Sequence, residues 1–405
     1  MPIRPVNDAW RAALPHEAEA ATQAYLDRLS PQAVARADAY AEGQHWLLLW
    51  NALASIAVAA LLVASSAAAR ARDAISRWLR RPWLRDMLFG AGFVVVSTLL
   101  VFPLTLWQEF FREHAYGLAT QGMGAWIGEQ LMGLAVGAVG GALFVALLYA
   151  VLRRVGERWW LWGTAVTMLL LTLMVVVAPV WIQPLFNTYK PVEPGPVKDA
   201  VLAMAIANGV PTHDVLVFDA SRQTTRVSAN VSGLYGTASV RMNDNLQRRS
   251  TLPEIRAVMG HEIGHYAMNH IPKMLLMFGA VVLAGFVFAQ WAMRRLLAWR
   301  GARWGIRGVA DVASLPLLSA VLTAWLLLAT PFVNTIIRSQ ETEADLYGMN
   351  LAREPLGMAE VLLKLTEYRK PDPGPWEEAI FFDHPSTRTR IGHAMRWREQ
   401  MTPAP

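Results

Sequence analysis

The sequence predicts a mainly helical protein that crosses a membrane several times and also carries polar folded segments. Three observations predict this class. Of the 405 residues, 54% are apolar and 17% are charged, whereas a soluble domain carries about 25% charged residues. The apolar residues are concentrated in six runs without Asp, Glu, Lys or Arg. The polar segments between and after them are too long to be loops alone, and one contains an H-E-x-x-H pattern.

Each of the six runs can cross a bilayer core, which takes about 20 helical residues. The predicted spans are Trp46–Ala69, Met87–Gln108, Leu131–Leu152, Trp159–Ile182, Met274–Met293 and Val312–Ile337. They divide the chain into an amphipathic polar N-terminus (1–45), a four-span region (46–182), a mixed segment (183–273), a two-span region (274–337) and a polar C-terminal segment (338–405).

Composition excludes several other classes. Residues 1–45 lack the apolar core of a cleaved signal peptide. The chain has no cysteine, so it has neither disulfides nor thiolate metal ligands. The net charge of +6 comes largely from arginines beside the spans, and no basic stretch is typical of a nucleic-acid surface.

The mixed segment 183–273 contains short strand signals. Val215–Phe218 is typical of a buried strand, and Ala238–Met242 is predicted to close a hairpin with Val227–Ser232. Two spans separate this segment from 338–405, so both segments lie on one side of the membrane. We therefore expect them to form one composite domain.

Arginines in the short loops predict the orientation. Fourteen lie in the loops 70–86, 153–158 and 294–311, which share one side of the membrane, whereas the opposite loop 109–130 has only Arg112. The positive-inside rule puts the arginine-rich loops in the cytoplasm and the composite domain outside it.

The most informative segment runs from Thr251 to Tyr266 and contains His261-Glu262-x-x-His265. Thr251 and Glu254 form a capping-box pattern with Pro253 in the first turn, so a helix is predicted to begin near Leu252. Residues four apart share a helix face, so both imidazoles can bind one metal ion. Glu262 borders the same site and can act as a general base.

A zinc site with two histidines needs a third protein ligand and an open position. Glu341, just past the sixth span, is the best candidate. Asp345 lies one turn further on the same face and can orient a histidine ligand, while Glu343 faces away. His384 can stabilise an oxyanion near such a site, although a histidine before proline is more often an exposed turn residue. The other histidines are predicted to be surface or interfacial residues: His16, His45, His114, His213, His270 and His393.

Five segments in the same order resemble the type 1 CAAX prenyl proteases, which are integral-membrane zinc metallopeptidases. They are P-L-F-N-T-Y-K-P at 184–191, S-A-N-V-S-G at 228–233 followed by Arg241 and Asp244, H-E-I-G-H at 261–265, N-x-x-x-R-x-x-E-x-x-A-D at 334–345, and H-P to R-I at 384–391.

The resemblance implies one Zn²⁺ per chain, with His261, His265 and Glu341 as ligands and Glu262 as the general base. It implies that His384 and Arg390 contact the scissile carbonyl and its surroundings, and that Asp345, Asn334 and Arg338 support the site. It implies a helix barrel that encloses a chamber, and an edge strand that pairs with an extended substrate. That strand comprises Ser228, Ala229, Asn230, Val231, Ser232 and Gly233.

The chain departs from the family pattern at three points. Eukaryotic members have seven spans, whereas six are predicted here. Ser228 stands where the family has Asn, and Ile337 where it has Ser. Eukaryotic members place the site in the cytosol, whereas the arginine count places it on the periplasmic side of a bacterial inner membrane.

The sequence therefore predicts a membrane zinc metalloendopeptidase acting on peptides or membrane-associated proteins, lipid-modified ones included. Membrane lipids are its other expected partners, and no nucleic acid is expected. The alternatives are an HtpX-like quality-control protease and a non-catalytic zinc-binding scaffold or transporter. An intramembrane site-2 protease fits less well, because Arg256 and Lys273 flank the H-E-x-x-H pattern.

Overall fold

The computed structural model describes residues 3–233 and 238–401 and is mostly helical. Its first eight helices are α1 (Asp8–Ala12), α2 (Ala18–Leu26), α3 (Pro31–Ala64), α4 (Ala67–Trp78), α5 (Pro82–Thr105), α6 (Glu113–Ala115), α7 (Met123–Val155) and α8 (Trp159–Val177). The others are α9 (Pro196–Ala207), α10 (Asp244–Arg249), α11 (Leu252–Ala267), α12 (His270–Trp304), α13 (Leu315–Ala352), α14 (Pro355–Leu365), α15 (Pro375–Phe381) and α16 (Thr387–Met401).

Five helical segments of the described chain are long and apolar enough to cross a membrane: Pro31–Ala64, Pro82–Ala115, Met123–Leu185, His270–Trp304 and Val312–Ala352. The third has 63 residues, which at 1.5 Å per residue is about three times the thickness of a bilayer core. It contains both α7 and α8, separated by a 3₁₀ turn at Gly156–Arg158. Residues 135–144 of α7 and 167–177 of α8 line one groove, so the two helices fold back on each other. This segment is therefore long enough for two of the six predicted spans, one in each of its helices.

The last spanning helix also builds the polar part of the protein. The predicted sixth span ends at Ile337, but α13 continues without a break to Ala352 over 38 residues. At 1.5 Å per residue the helix is about 57 Å long, roughly twice a bilayer core. Glu341 and Asp345 lie on its C-terminal part and are therefore joined rigidly to the membrane span.

A four-stranded sheet lies beside α11, with strands β1 (Tyr189–Pro191), β2 (Val215–Phe218), β3 (Ala229–Ser232) and β4 (Ser239–Asn243) in the order β1-β2-β4-β3. β1 and β2 are antiparallel, β2 and β4 are parallel, and β3 and β4 are antiparallel. The predicted strand Val215–Phe218 and the predicted hairpin are confirmed. The hairpin tip, residues 234–237, lies outside the described residues. β3 is an edge strand of this sheet.

Two apolar cores hold the polar segments together. Val215 and Val240 of the sheet pack with Ile255 and Met259 of α11. In the other core, Tyr25 of α2 is fully buried among residues of α14 and α16. The N-terminal polar segment thus packs against the C-terminal one.

The three arginine-rich loops meet at one end of the molecule. Arg72 pairs with Asp311, and Asp73 with Arg307 at 2.9 Å, which joins the first loop to the third. Glu157 of the second loop pairs with Arg294. The three arginine-rich loops are therefore in contact with one another, as expected for loops on the same side of the membrane.

Candidate metal centre

Helix α11 places the two histidines of the H-E-x-x-H pattern. It runs from Leu252 to Ala267, and Thr251 and Glu254 form the predicted capping box. His261 and His265 follow one turn apart, and their Nε2 atoms are 3.1 Å from each other. The predicted start of the helix and the shared face of the two histidines are confirmed.

Glu341 of α13 completes a triangle of ligand atoms. Its Oε2 lies 3.3 Å from His261 Nε2, and its Oε1 lies 3.3 Å from His265 Nε2. Three ligands at about 2.05 Å from one tetrahedral ion lie about 3.3 Å apart. Among the described residues, no hydrogen-bond donor is well oriented towards the buried Oε2 of Glu341. These side chains therefore fit a metal ion, and they are the group of residues in the described chain that can hold one.

Glycines bring α11 and α13 close enough for this geometry. A Cβ added to Gly348 would lie 2.6 Å from the backbone nitrogen of His261, and one added to Gly260 would lie 3.0 Å from the carbonyl oxygen of Gly348. A Cβ added to Gly264 would lie 3.1 Å from the carbonyl oxygen of Ala344. The helices cross backbone to backbone, which allows a short glutamate on one to reach histidines on the other.

A buried carboxylate orients the first histidine. Asp345 Oδ1 accepts a hydrogen bond from His261 Nδ1 at 2.8 Å, which turns Nε2 of this ring towards the triangle. Arg390 donates to the same carboxylate from Nε at 2.7 Å and from Nη2 at 2.6 Å. Burial disfavours a charged imidazole at His261, but Asp345 and Glu341 outweigh it and raise its pKa to about 10. Arg390 also lines the cavity that Glu262 faces, so its expected role at the scissile carbonyl stays a prediction alongside its contact with Asp345.

His270 orients the second histidine, so the prediction that it is a surface or interfacial residue is wrong. Its side chain is 1% exposed, and its Nδ1 lies 2.8 Å from His265 Nδ1. Its Nε2 lies 3.2 Å from Glu343, which also pairs with Lys273 at 3.0 Å. Helical periodicity does not bring residues 265 and 270 together. The contact forms because α11 ends at Ala267 and Asn269 adopts a left-handed conformation with φ 56° before α12 begins.

Glu262 faces a cavity of about 240 Å³ next to the triangle, which His261, His384 and Arg390 also line. Its carboxylate has no hydrogen bond or ion pair within residues 3–233 and 238–401, so it is available to a water or a substrate. Burial raises its pKa above that of an ordinary glutamate, against the opposing effect of nearby His261 and His265.

His384 joins this cavity from the turn after α15. Its Nε2 lies 3.1 Å from Glu341 Oε2, and its Nδ1 lies 2.8 Å from Asp383 Oδ1. Burial and the nearby charge of Arg369 lower its pKa. His384 is thus part of the site rather than an isolated turn residue.

Asn334 and Arg338, which are expected to support the site, donate hydrogen bonds to the end of α15. Asn334 donates to the carbonyl oxygen of Ile380 at 2.8 Å. Arg338 donates to the carbonyl oxygens of Glu378, at 2.9 Å, and of Phe382. Both therefore fix the end of α15, from which the chain turns toward His384.

The edge strand β3 lies beside the same cavity. Ser228 and Ala229 line it together with His261 and Glu262. The inner side of the strand pairs with β4, from Ala229 opposite Met242 to Ser232 opposite Ser239. Within residues 3–233 and 238–401, the side-chain oxygens of Asn230 and Ser232 are buried without hydrogen-bond partners. In the same part of the chain no strand pairs with the other side of β3.

Comparison with known proteins agrees with this geometry. Residues 191–398 match the family model described as peptidase family M48, and residues 13–188 match the one described as CAAX prenyl protease N-terminal, five membrane helices. The uncharacterized metalloprotease YhfN of Bacillus subtilis is 27% identical over 325 residues, which cover 79% of this chain and 76% of that protein. A CAAX prenyl protease 1 homolog of Oryza sativa is 25% identical over 313 residues, 76% of this chain and 72% of that protein.

The crystal structure of S. mikatae Ste24p has the same fold, with a TM-score of 0.76 at 19% identity, and the match covers 91% of this chain and 89% of that one. The fold and the ligand triangle define a multi-pass membrane metallopeptidase. The chain belongs to peptidase family M48 and is related to the CAAX prenyl proteases, as its sequence motifs indicated. The described part of residues 13–188 contains four spans, from α3 to α8, against five in the matched N-terminal family.

Proposed function

We propose that this protein is a zinc metalloendopeptidase that hydrolyses peptide bonds of peptides and membrane-associated proteins. The observation that carries the proposal is the ligand triangle of His261, His265 and Glu341 with the unpartnered carboxylate of Glu262 beside it. Two histidines and one carboxylate are a ligand set that catalytic zinc uses with an open position. The segments 183–273 and 338–405 would together form the catalytic unit, since each supplies part of this set.

Each side chain has a distinct role in the proposed reaction. Bound zinc supplies Lewis-acid chemistry, lowering the pKa of water and polarising a carbonyl group. Glu262 accepts a proton from the attacking water and passes it to the leaving amine. Asp345 and His270 fix the orientations of the two histidines. Segment 228–233 pairs with the extended substrate through the free side of β3.

His384 is proposed to assist at the carbonyl oxygen. Since Asp383 accepts from its Nδ1, Nε2 donates a hydrogen bond only when the imidazole carries both protons. The lowered pKa of His384 then confines this contribution to the lower part of the working pH range. Positively charged donors at a developing oxyanion stabilise the transition state.

The match of residues 13–188 to the N-terminal CAAX prenyl protease model favours this type over an HtpX-like protease. Lipid-modified proteins are therefore included among the proposed substrates. The contact between the arginine-rich loops supports a cytoplasmic position for that end of the molecule and a periplasmic position for the metal centre in a bacterial inner membrane. The family analogy implies the opposite side. Reporter fusions after Arg77 and at the C-terminus distinguish these orientations, and a cytoplasmic C-terminus would reverse our assignment.

The decisive experiment compares the purified protein with Glu262→Gln. We expect the wild-type protein to contain one zinc per chain and to cleave peptides in a chelator-sensitive way. Glu262→Gln should retain the zinc and lose activity by a factor of at least about 100, as expected for removal of a general base. Wild-type rates in Glu262→Gln would contradict this role. Stoichiometric zinc without hydrolysis of any peptide, prenylated or not, would favour a non-catalytic scaffold.

A further inference from the structure

Arg369 occupies a central position next to the candidate metal centre. Together with Tyr368 and His384, it lines both the cavity of about 240 Å³ that contains Glu262 and a neighbouring cavity of about 410 Å³. The second cavity extends to Tyr40 of α3. A peptide passing between the two cavities would therefore meet the guanidinium group of Arg369.

The other arginines and lysines that line these cavities are neutralised by carboxylates. Arg226 pairs with Glu113 at 2.6 Å, Lys370 with Glu377 at 2.9 Å, and Arg390 with Asp345 at 2.6 Å. Within residues 3–233 and 238–401, the side chain of Arg369 has neither a hydrogen bond nor an ion pair. The nearby Asp383 accepts a hydrogen bond from His384 instead.

The surroundings make an unpaired charge costly at this position. Besides Arg369, the first cavity is lined by apolar side chains of α11 and α14, namely Val258, Met358, Val361, Leu362 and Leu365. Burial, reinforced by the charge of Arg390, lowers the pKa of Arg369. A charged group beside an apolar wall is stabilised when an opposite charge binds it.

We propose that Arg369 binds a carboxylate of the peptide substrate, a few residues from the scissile bond. Its planar group can donate two parallel hydrogen bonds to a carboxylate, which gives selectivity as well as affinity. The carboxylate is either the C-terminus of the substrate or an Asp or Glu side chain. The inference rests on the proposed peptidase activity and adds the chemical class of residue that the site selects.

The test uses a quenched fluorescent peptide in matched forms, after its cleavage site has been mapped. One pair has a free or an amidated C-terminus, placed one to four residues beyond the cleaved bond. The other pair is amidated and carries Glu or Gln in that stretch. We expect the wild-type protein to prefer one carboxylate form by about 10- to 100-fold in kcat/KM, the range expected for a charge-assisted hydrogen bond. The pair that shows the preference identifies the source of the carboxylate.

Arg369→Gln should remove this preference while keeping cleavage of the neutral peptides, and Arg369→Lys should keep part of it. Arg396→Gln removes one exposed positive charge on α16 and serves as the control, with the preference unchanged. Equal loss on carboxylate and neutral peptides in Arg369→Gln would show a structural role and overturn the proposal, as would a wild-type protein that does not discriminate.

A second measurement separates the carboxylate site from the proposed peptidase activity. If no peptide is cleaved by the wild-type protein, binding of the same fluorescent peptides to the protein is measured by anisotropy. Tighter binding of a carboxylate form that disappears in Arg369→Gln would uphold the carboxylate site without hydrolysis. Equal binding of charged and neutral forms would refute it.

Discussion

The Nδ1 atoms of His265 and His270 lie 2.8 Å apart, across the break between α11 and α12. This contact gives the second histidine of the triangle a partner, as Asp345 does for His261. The two partners differ in kind, because one is a carboxylate backed by an arginine and the other is an imidazole backed by Glu343. Each histidine is therefore held through its Nδ1 atom, and the Nε2 atoms of the two rings lie next to each other in the triangle.

His270→Ala should weaken zinc binding by about 10- to 100-fold, because it removes the group that orients a ligand. Competition with a chelator measures the affinity independently of activity. His270→Gln keeps a hydrogen-bonding group and should lose less. His213→Ala, which removes an exposed histidine from a loop, is the matched control. Unchanged zinc affinity in His270→Ala would contradict the positioning role.

The pair of Asp345 and Arg390 should stabilise the fold as well as the site. Both side chains are buried, and Arg390→Met leaves the carboxylate of Asp345 without its cation. We expect a loss of about 3–5 kcal/mol in the free energy of unfolding. Unfolding of the metal-free protein in detergent, followed by tryptophan fluorescence, measures it. Asp345→Asn combined with Arg390→Met should lose less than the sum of the single changes, and strict additivity would argue against a coupled pair.

Gly348→Ala tests the close crossing of α11 and α13. Its new Cβ would meet the backbone of His261, so the helices must separate and Glu341 must move from the histidines. We expect a stability loss of about 1–3 kcal/mol together with weaker zinc binding. Gly133→Ala adds the same methyl group to α7, where no atom lies within 4 Å, and should not weaken zinc binding. Equal changes in stability and in zinc binding in the two variants would contradict a steric role for Gly348.

The pH dependence of kcat/KM should reflect the buried carboxylate of Glu262. Burial raises its pKa, and a general base acts only when ionised, so activity is lost as the pH falls through this raised value. The acidic limb of the profile is therefore expected above the ordinary glutamate value of about 4.3. Zinc content measured at each pH separates this effect from loss of the metal. An acidic limb at the ordinary value with zinc retained would refute the assignment.

Local patterns in the sequence were sufficient for much of this protein. The apolar runs predicted the spans, the cap at Thr251 predicted the start of α11, and the four-residue spacing predicted the shared face of His261 and His265. The same spacing placed Asp345 on the face of Glu341. Each of these features depends on the spacing of residues within one helix or on the capping of its end. Residues close together in the sequence determine both.

Several site features were beyond the reach of such patterns. The burial of His270, the ion pair of Arg390 with Asp345 and the position of Arg369 on two cavities depend on the tertiary structure. The hydrogen bonds of Asn334 and Arg338 to the end of α15 depend on it as well. Each of these roles depends on which atoms of another element come within hydrogen-bonding distance, and distance along the chain carries little information about that.

By itself, then, the sequence determined the helical membrane class, the helix with the H-E-x-x-H pattern and the candidate metal ligands, since hydrophobic length, capping and helical spacing are local properties. The tertiary structure decided how the ligands are supported and, among the described residues, that Arg369 has no carboxylate partner. The backbone contact at Gly348 and the break at Asn269 set these relationships, because they fix how closely α11 approaches α13 and where α12 begins.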